Sequence, residues 1–335
     1  MNKVRVGLNG FGRIGRYFTR LLLDHPKIEL VVVNDLMDLK TAAHLLKYDS
    51  VHGKLDHYDQ VDLTNNSIRI LNKEIAYINH ADPENIPWNE YKVDIVVEAT
   101  GKFLDRKSAE KHLKSGVKQV VLSAPSPDNS IPMMVIGINE DTISKSEKIL
   151  SNASCTTNSA APLIAILQEI CEIESAYITT VHSYTTDQRL HDSAHKDLRR
   201  ARAAGQSIVP TTTGAAKALT RIFTNLDGKL GGCGIRVPVP DGSLTDLTMV
   251  VRNPPTIEQI NAHFKTKAAN DFKGILRYTE DPVVSVDVLG DPHSCVFDSE
   301  LTSVIGSMVK VVGWYDNEAG YSNRLVDVIM HLSKS

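Results

Sequence analysis

Cysteine is scarce in this chain. Four thiols are spread over 335 residues, at Cys155, Cys171, Cys233 and Cys295. None belongs to a C-x-x-C pair, and so sparse a set does not make the disulfide framework of a small secreted protein. Long apolar runs are also missing: none approaches the roughly 18 residues that a membrane-spanning helix needs. Nor is there an excess of positive charge. Lysine and arginine number 37 against 40 acidic residues, for a net charge of -3, so composition supplies no general attraction for nucleic acid. Lys3 and Arg5 open the chain, but a glycine-rich turn follows where a signal peptide would carry its apolar core. No export signal is expected, and the cytoplasm fits best. Internal repeats and low-complexity tracts are absent too. What remains is a globular composition, 42% apolar and 23% charged, in a chain long enough for two domains at roughly 100–200 residues each.

The most reactive stretch is Ser151-Asn152-Ala153-Ser154-Cys155-Thr156-Thr157-Asn158-Ser159. Small polar residues surround one thiol. Leu163, Leu167, Ile170 and Cys171 then follow at helical spacing, which puts Cys155 at or just before a helix N-terminus. Unpaired amides and the positive dipole end there stabilise an anion and lower a thiol pKa. A lone cysteine is more often an inert core residue, but an inert thiol is expected among apolar neighbours, and these neighbours carry hydroxyls.

The first half reads as a dinucleotide site. Val4–Asn9 forms a short buried strand, Gly10-Phe11-Gly12-Arg13-Ile14-Gly15 follows, then a helical pattern with Phe18, Leu21, Leu22 and Leu23. A second strand, Ile28 to Val33, ends in Asn34-Asp35. Strand, G-x-G-x-x-G turn, helix, strand and acidic residue stand in the order that a pyrophosphate and an adenosine ribose require. Asp35 would also repel a 2′-phosphate. Further strands are expected at Val93–Val97 and Val117–Leu122, whose ends place Thr100, Gly101 and Ser123 beside the cofactor. A hairpin over Ser67–Ile78 with its turn at Asn72-Lys73, helices over Thr41–Tyr48 and Ser108–Lys114, and minor strands at Val135–Gly137 and Ile149–Leu150 complete this half.

After Cys155 the pattern changes. Ala176–His182 is a strand ending in His182, followed by a polar loop from Ser183 to Gly205 and an alanine-rich helix, Ala215–Phe223. Ile235–Val239, Thr245–Arg252, Val283–Val288, Cys295–Phe297 and Met308–Trp314 read as strands, with helices over Ile257–Ala268 and Tyr321–Leu332. Many strands with few helices predict a mixed or antiparallel sheet in a separate α+β domain. The expected fold is therefore a Rossmann-type doubly wound domain joined to an α+β catalytic domain, with 1–154 and 318–335 in the first and 155–317 in the second. A nucleotide half joined to a nucleophilic cysteine suggests covalent hydride transfer: the thiol adds to an aldehyde, hydride leaves for a nicotinamide, and a thioester remains. His182 is the leading general base. Thr213-Gly214 at a helix start, with Arg200 and Arg236, suits anions, whereas Arg199 and Arg202 read as a solvated face. His191 and His195 lie at i and i+4, but no H-E-x-x-H accompanies them and no metal is expected.

These segments together resemble phosphorylating glyceraldehyde-3-phosphate dehydrogenases of the bacterial and plastid-like type. The resemblance covers nearly the whole chain, through Asn9–Arg16, Ser151–Asn158, His182-Ser183-Tyr184-Thr185, His195–Arg202, Thr212–Lys217, Arg236–Pro240 and Trp314–Glu318. It implies Cys155 as nucleophile and His182 as its activator. It implies cofactor contacts at Gly10, Gly12, Arg13, Ile14, Asp35, Ser123 and Asn317, the last at the nicotinamide carboxamide. It implies contacts to substrate and inorganic phosphate at Ser154, Thr156, Thr185, Arg200, Thr213, Gly214 and Arg236. It further implies a homotetramer in which the Ser183–Gly205 loop lines a neighbour's cofactor site, and a C-terminal helix that packs back on the nucleotide domain. Three positions depart from the family pattern. Ser159 replaces a second cysteine, which leaves catalysis intact. Ala319 replaces a tryptophan, so looser packing is expected there. Ser193-Ala194 stands where strictly NAD-dependent relatives carry Leu-Pro, which would admit NADP; Asp35 argues for NAD as the preferred cofactor. Erythrose-4-phosphate dehydrogenase and a non-catalytic nucleotide- or RNA-binding relative are the rival readings. The Thr211–Lys217 segment and the presence of both Cys155 and His182 weigh against them.

Overall fold

Strands buried on both faces need continuous apolar side chains, and Val6, Leu8, Ile28, Val32, Val33, Val96, Val97, Val120 and Val121 supply them, each essentially inaccessible to solvent. In the computed structural model, which describes residues 3–334, these residues make the centre of an eight-stranded sheet. The chain divides into two units, Met1–Ala153 with Ser322–Ser335, and Ser154–Tyr321.

The first unit runs β1 (Val4–Asn9), α1 (Arg13–Leu22), β2 (Ile28–Asn34), α2 (Leu39–Lys47), the short pair β3 (Tyr48–Asp49) and β4 (Gly53–Lys54), then β5 (Val61–Leu63), β6 (Ser67–Ile70), β7 (Lys73–Ile78), β8 (Ile95–Glu98), α3 (Arg106–Ala109), β9 (Gln119–Leu122) and β10 (Ile149–Ser151). Sheet order is β10-β9-β8-β1-β2-β7-β6-β5; the first six strands are parallel, and β6 and β5 are added antiparallel at the edge. The order reverses between β1 and β8, where Asn9 pairs with Glu98, and a crevice at such a switch point is where this architecture takes ligands. Gly10 has φ +104, and a Cβ on it would meet the Ala99 carbonyl carbon at 2.6 Å. A Cβ at Gly15 would lie on the Gly10 carbonyl oxygen. These two glycines let helix α1 start directly against the strand ends.

The second unit holds α4 (Cys155–Gln168), β11 (Glu172–Ser183), β12 (Val209–Thr211), α5 (Ala215–Ile222), β13 (Leu230–Val237), β14 (Ser243–Arg252), α6 (Ile257–Ala269), β15 (Leu276–Thr279), β16 (Cys295–Ile305) and β17 (Met308–Tyr315). Its seven-stranded mixed sheet has the order β12-β13-β11-β14-β17-β16-β15. Helix α4 packs on β11, β14, β16 and β17, and almost every residue from Thr156 to Leu167 is buried. Helix α7 (Ala319–Leu332) closes the chain, and its residues from Ser322 onward belong to the first unit.

Four local expectations are corrected. The hairpin turn is Leu71-Asn72, not Asn72-Lys73, with Leu71 at φ 53. Ile68 and Ile75 pair on the buried face, and a slip of one residue would expel them. Val135–Gly137 is a turn because the Asn139 and Glu140 side chains take its amides (Val135 N–Asn139 Oδ1 2.8 Å, Gly137 N–Glu140 Oε2 2.8 Å). Val283–Val288 is not a strand; Ser285–Val288 is a 3₁₀ turn, with Asp287 accepting from Val284 N at 2.8 Å and with Val284 and Val286 exposed. Ile170 and Cys171 lie beyond the end of α4, so they do not extend its face.

Substituting Gly15→Ala should lower stability by about 1–3 kcal/mol through overpacking against the Gly10 carbonyl. Urea unfolding measures this; an unchanged midpoint would show that α1 can shift away from β1 at little cost.

Candidate active site

Cys155 is the first residue of α4. Ala153, at φ 55, turns the chain, and Ser154 then caps the helix, its Oγ accepting from Thr157 N at 3.1 Å. A left-handed alanine costs roughly 1–2 kcal/mol, and the cap offsets a similar amount. Asn158 Nδ2 donates back to the Ser154 carbonyl at 3.0 Å. The turn is therefore locked from both sides, and the thiol projects from a rigid helix start. Ser159, where a second cysteine was expected by resemblance, is buried and hydrogen-bonds Thr245 Oγ1 at 3.0 Å.

His182 sits one residue from the end of β11, on the face that carries the buried Ile178 and Thr180. Its Nε2 lies 3.4 Å from Cys155 Sγ. Tyr315 packs edge-on against the imidazole at 6.0 Å, and its hydroxyl bridges Thr156 Oγ1 and Thr180 Oγ1 at 2.9 Å each. Arg236, the neighbour of His182 across β11 and β13, places Nη1 2.6 Å from His182 Nδ1 and 2.9 Å from the Ser183 carbonyl. The electrostatics correct one expectation. Burial pushes the Cys155 thiol up to about 11, against the pull of the Arg236 charge and the Thr156 amide, and the helix start does not by itself make a thiolate. Burial and Arg236 push His182 down to about 3. At 3.4 Å, Sγ and Nε2 are within reach of a proton passing between them, and the two charges so formed would attract each other.

Asn317 is oriented by two hydroxyls. Ser183 Oγ and Ser243 Oγ donate to its Oδ1 at 2.8 and 2.6 Å, which leaves the amide nitrogen as the end offered to a ligand. Asp241 Oδ1 receives Asn317 N at 3.3 Å. The next residue along, Asp316, is fully buried and caps α7 by accepting from Glu318 N and Ala319 N at 2.8 and 2.7 Å. Burial, and then the neighbouring Asp241, raise the Asp316 carboxyl to about 7. Ala319 is fully enclosed.

The residues expected to hold anions fall into two groups. Arg236 joins the Cys155–His182 pair. Arg200 is drawn to the β12 edge, with Nε 3.0 Å from Thr211 Oγ1, Nη2 3.5 Å from the Thr212 carbonyl and Nη1 on Asp187. Thr213 Oγ1 accepts from Ala215 N at 3.2 Å, and Gly214 opens α5 with no capping side chain and open space where a Cβ would lie. Thr185 N reaches Gln188 Oε1 at 3.4 Å in the turn that also carries Asp187. The hydroxyls of Ser154 and Thr156 are engaged by the fold, the first as a helix cap and the second on Tyr315. His191 and His195 are not on a helix; His195 Nδ1 accepts from Asp197 N at 2.9 Å.

In the first unit, Gly10, Gly12, Arg13 and Ile14 form the turn into α1. Gly12 is the N-cap, with no capping side chain and nothing within 4 Å of a Cβ built on it. An open, uncapped helix start fits a pyrophosphate. Asp35 Oδ2 accepts from Phe11 N at 2.5 Å and Oδ1 from Met37 N at 2.8 Å, which fixes the carboxylate beside the glycine turn. Arg13 pairs with Asp49 at 2.5 Å, and Ser123 follows the end of β9, with its amide on the Glu98 carbonyl at 2.9 Å. A buried polar hub beneath this turn was not anticipated. Glu98 accepts from Asn9 Nδ2 (2.5 Å), Thr100 N (2.8 Å), Thr100 Oγ1 and His112 Nε2 (3.1 Å), while Trp88 Nε1 donates to His112 Nδ1 at 3.1 Å. Asn34 Nδ2 continues the chain to Asn9 Oδ1 at 2.7 Å. The only signal in the sequence was that three apolar strands end in Asn9, Asn34 and Glu98.

A doubly wound domain with an open glycine turn at a helix start, and a second unit with a close cysteine–histidine pair, are the features of a dinucleotide-dependent dehydrogenase. Comparison with known proteins makes the class particular. Residues 4–106 match the family model described as glyceraldehyde 3-phosphate dehydrogenase, NAD binding domain, and residues 154–317 match the C-terminal domain of the same family. The chain is 52% identical over 330 residues to a glyceraldehyde-3-phosphate dehydrogenase of Streptomyces coelicolor, covering 97% of each. It is 51% identical over 332 residues to that of Geobacillus stearothermophilus (98% of each), and 50% identical over 337 residues to that of Mycobacterium avium (99% of each). This chain belongs to the glyceraldehyde-3-phosphate dehydrogenase family, and its cofactor is NAD.

The raised Asp316 carboxyl gives a pH-dependent stability with a definite sign. Its folded pKa, about 7, lies above the ordinary 3.8, so its contribution is complete below about pH 4 and is lost as pH rises through 7. Asp241→Asn should remove the repulsion and raise stability by about 1–3 kcal/mol at alkaline pH and much less at acid pH. Thermal melts across pH test this; an equal gain at every pH would refute it.

Proposed function

We propose that this member of the family oxidises glyceraldehyde 3-phosphate with Cys155 as nucleophile, His182 as proton acceptor and inorganic phosphate as the group that releases the product. The 3.4 Å approach of Cys155 Sγ to His182 Nε2 carries the reading. The thiol proton moves to Nε2, the sulfur electron pair forms a bond to the aldehyde carbon, and Nε2 passes the proton on to the carbonyl oxygen, giving a thiohemiacetal and a neutral imidazole. NAD, when bound, accepts the hydride from that carbon. His182 takes the hydroxyl proton as the thiohemiacetal becomes a thioester. A phosphate oxygen then attacks the thioester carbonyl, the C–S bond breaks, the sulfur takes back the proton held on Nε2, and the acyl phosphate 1,3-bisphosphoglycerate departs. Arg236, Arg200, Thr185 and the Thr213-Gly214 helix start supply donors for the substrate phosphate and inorganic phosphate. Ser154 and Thr156 contribute as the frame of the cysteine turn.

The cofactor contacts follow the same chemistry. Gly10, Gly12, Arg13 and Ile14 offer the turn to the pyrophosphate, Asp35 the ribose hydroxyls, and Ser123 the end of β9. Asn317, its Oδ1 saturated by Ser183 and Ser243, has an amide nitrogen to donate to the nicotinamide carboxamide oxygen. Asp35 disfavours a 2′-phosphate, while Ser193-Ala194 permits NADP as a secondary cofactor. A main activity on erythrose 4-phosphate is not favoured. A purely nucleotide-binding role would leave the cysteine–histidine pair without a use.

The decisive assay is NADH formation from glyceraldehyde 3-phosphate with and without phosphate, repeated with NADP. Cys155→Ser should abolish turnover, and His182→Asn should lower kcat by about 10²–10⁴-fold. Full activity in either variant would remove that residue from the mechanism, and a higher kcat/KM with NADP would overturn the weight given to Asp35.

The assembly is proposed to be a homotetramer acting in the cytoplasm. Leu190, Leu198 and Ile208 are exposed in and next to the Ser183–Gly205 loop, and Tyr177, Val250 and Met308 are exposed on the sheet strands; single chains rarely leave so much apolar surface uncovered. No helix among the described residues is long and apolar enough to cross a membrane. Light scattering should give a particle of four chains of 36.9 kDa each; a particle of one chain would exclude the tetramer.

A further inference from the structure

Glu98 and His112 are fully buried, and no step of the proposed reaction uses either. Glu98 ends β8 and pairs in register with Asn9, the end of β1. Its two oxygens share four donors. Oε1 accepts from Thr100 N at 2.8 Å and from Thr100 Oγ1; Oε2 accepts from Asn9 Nδ2 at 2.5 Å and from His112 Nε2 at 3.1 Å. Two chains of hydrogen bonds converge there. On one side the Trp88 indole, which can only donate, gives its N–H to His112 Nδ1 at 3.1 Å, so the ring proton lies on Nε2 and is offered to Glu98. Trp88 and Glu98 are the only polar partners of this ring among the described residues. On the other side His80 N donates to Asn34 Oδ1 (2.8 Å), Asn34 Nδ2 to Asn9 Oδ1 (2.7 Å) and Asn9 Nδ2 to Glu98. A carboxylate at the meeting point accepts from both directions, and this fixes which way round each amide sits.

The strand ends tied in this way lead straight into the glycine turn and its neighbours. Gly10 follows Asn9, Asp35 follows Asn34, and Thr100 lies just beyond Glu98. There is no slack among them. A Cβ on Gly10 would meet Thr100 N, the amide that Glu98 holds, at 2.7 Å. Asp35 Oδ2 accepts from Phe11 N at 2.5 Å. A shift of the Thr100 peptide or of Asn9 is therefore passed to the glycine turn and to Asp35. We propose that Glu98 is a positioning residue for the dinucleotide: as the common acceptor of two converging chains it sets the spacing of Gly10, Asp35 and Thr100, and through that spacing the affinity for NAD. This inference rests on the reading of the glycine turn and Asp35 as the cofactor site and deepens it. A cradle already held in the binding geometry loses little freedom when the nucleotide arrives, so the effect falls on affinity and not on the chemical step. A network that only stabilised this unit would lower the melting temperature and leave the affinity of the folded enzyme as it was.

The test is the Kd for NAD, measured by titration calorimetry on the intact enzyme, beside kcat at saturating NAD and the thermal midpoint without NAD. Glu98→Gln keeps the size and turns one acceptor oxygen into a donor that faces other donors. It should raise the Kd for NAD by about tenfold or more, with kcat within about twofold of the natural enzyme. Adding Asn9→Asp moves the carboxylate across the β1–β8 pair, so that the bond between positions 98 and 9 forms again with its direction reversed; most of the affinity should return. His112→Leu removes one donor and leaves the residues of the turn in place, and should raise the Kd by about threefold. A folded Glu98→Gln enzyme with an unchanged Kd would overturn the proposal. So would a fall in kcat as large as the loss of affinity, or a double variant that binds no better than the single one. Where Glu98→Gln does not fold, His112→Leu decides, and an unchanged Kd there would overturn it too. Asp35→Ala reports separately on the cofactor site: an unchanged Kd for NAD in that variant would refute that reading, whatever the Glu98 variants show.

Discussion

A helix that begins inside a protein must satisfy its first amides without water. Helix α4 is buried on nearly every side, and its start is settled by the Ser154 hydroxyl, the Asn158 side chain and the sharp turn at Ala153. That requirement fixes where the Cys155 thiol sits. The same contacts that close the helix end hold the half-buried Cys155 against β11, where desolvation pushes its thiol up. The proposed chemistry therefore calls for a proton acceptor at short range. His182 is within that range because β11 ends where α4 begins, and because the alternation of the strand turns His182 to the face that α4 covers.

Polar groups recur wherever the interior would otherwise leave a charge or an amide unmatched. Tyr315 joins Thr156 to Thr180 and so ties α4 to the sheet behind the reactive pair. Ser183 and Ser243 fix which end of Asn317 faces outward. In the first unit, Glu98 gathers donors from Asn9, Thr100 and His112 and ties the ends of β1 and β8 together at the switch point. Apart from Thr100, each of these groups is fully or nearly fully removed from solvent. Buried polar groups left without partners cost about 1–3 kcal/mol each, so these networks keep the site in one arrangement.

The stretches that were legible share a feature: their chemistry depends on neighbours in the chain. The glycine turn and Asp35, the helix start at Cys155, and the strand ending at His182 could all be read from local pattern. Departures arose where distant contacts override local preference. Val283–Val288 has the apolar content of a strand, but Asp287 captures the Val284 amide and the segment finds no sheet edge. The hairpin turn moved by one residue because the pairing of Ile68 with Ile75 sets the register. The pull of the helix start on the Cys155 thiol was sound as a local argument, and burial outweighed it.

By itself, the sequence determined the two-part architecture, the glycine turn of the nucleotide half and the helix start at Cys155, because each follows from spacing along one segment. Only the tertiary structure decided what surrounds the Cys155 thiol. Cys155, His182 and Arg236 come from α4, β11 and β13, and no periodicity in a chain can show that a guanidinium will lie 2.6 Å from one ring nitrogen while a thiol lies 3.4 Å from the other. Protonation depends on distance and burial in three dimensions, and those exist only once the strands have paired.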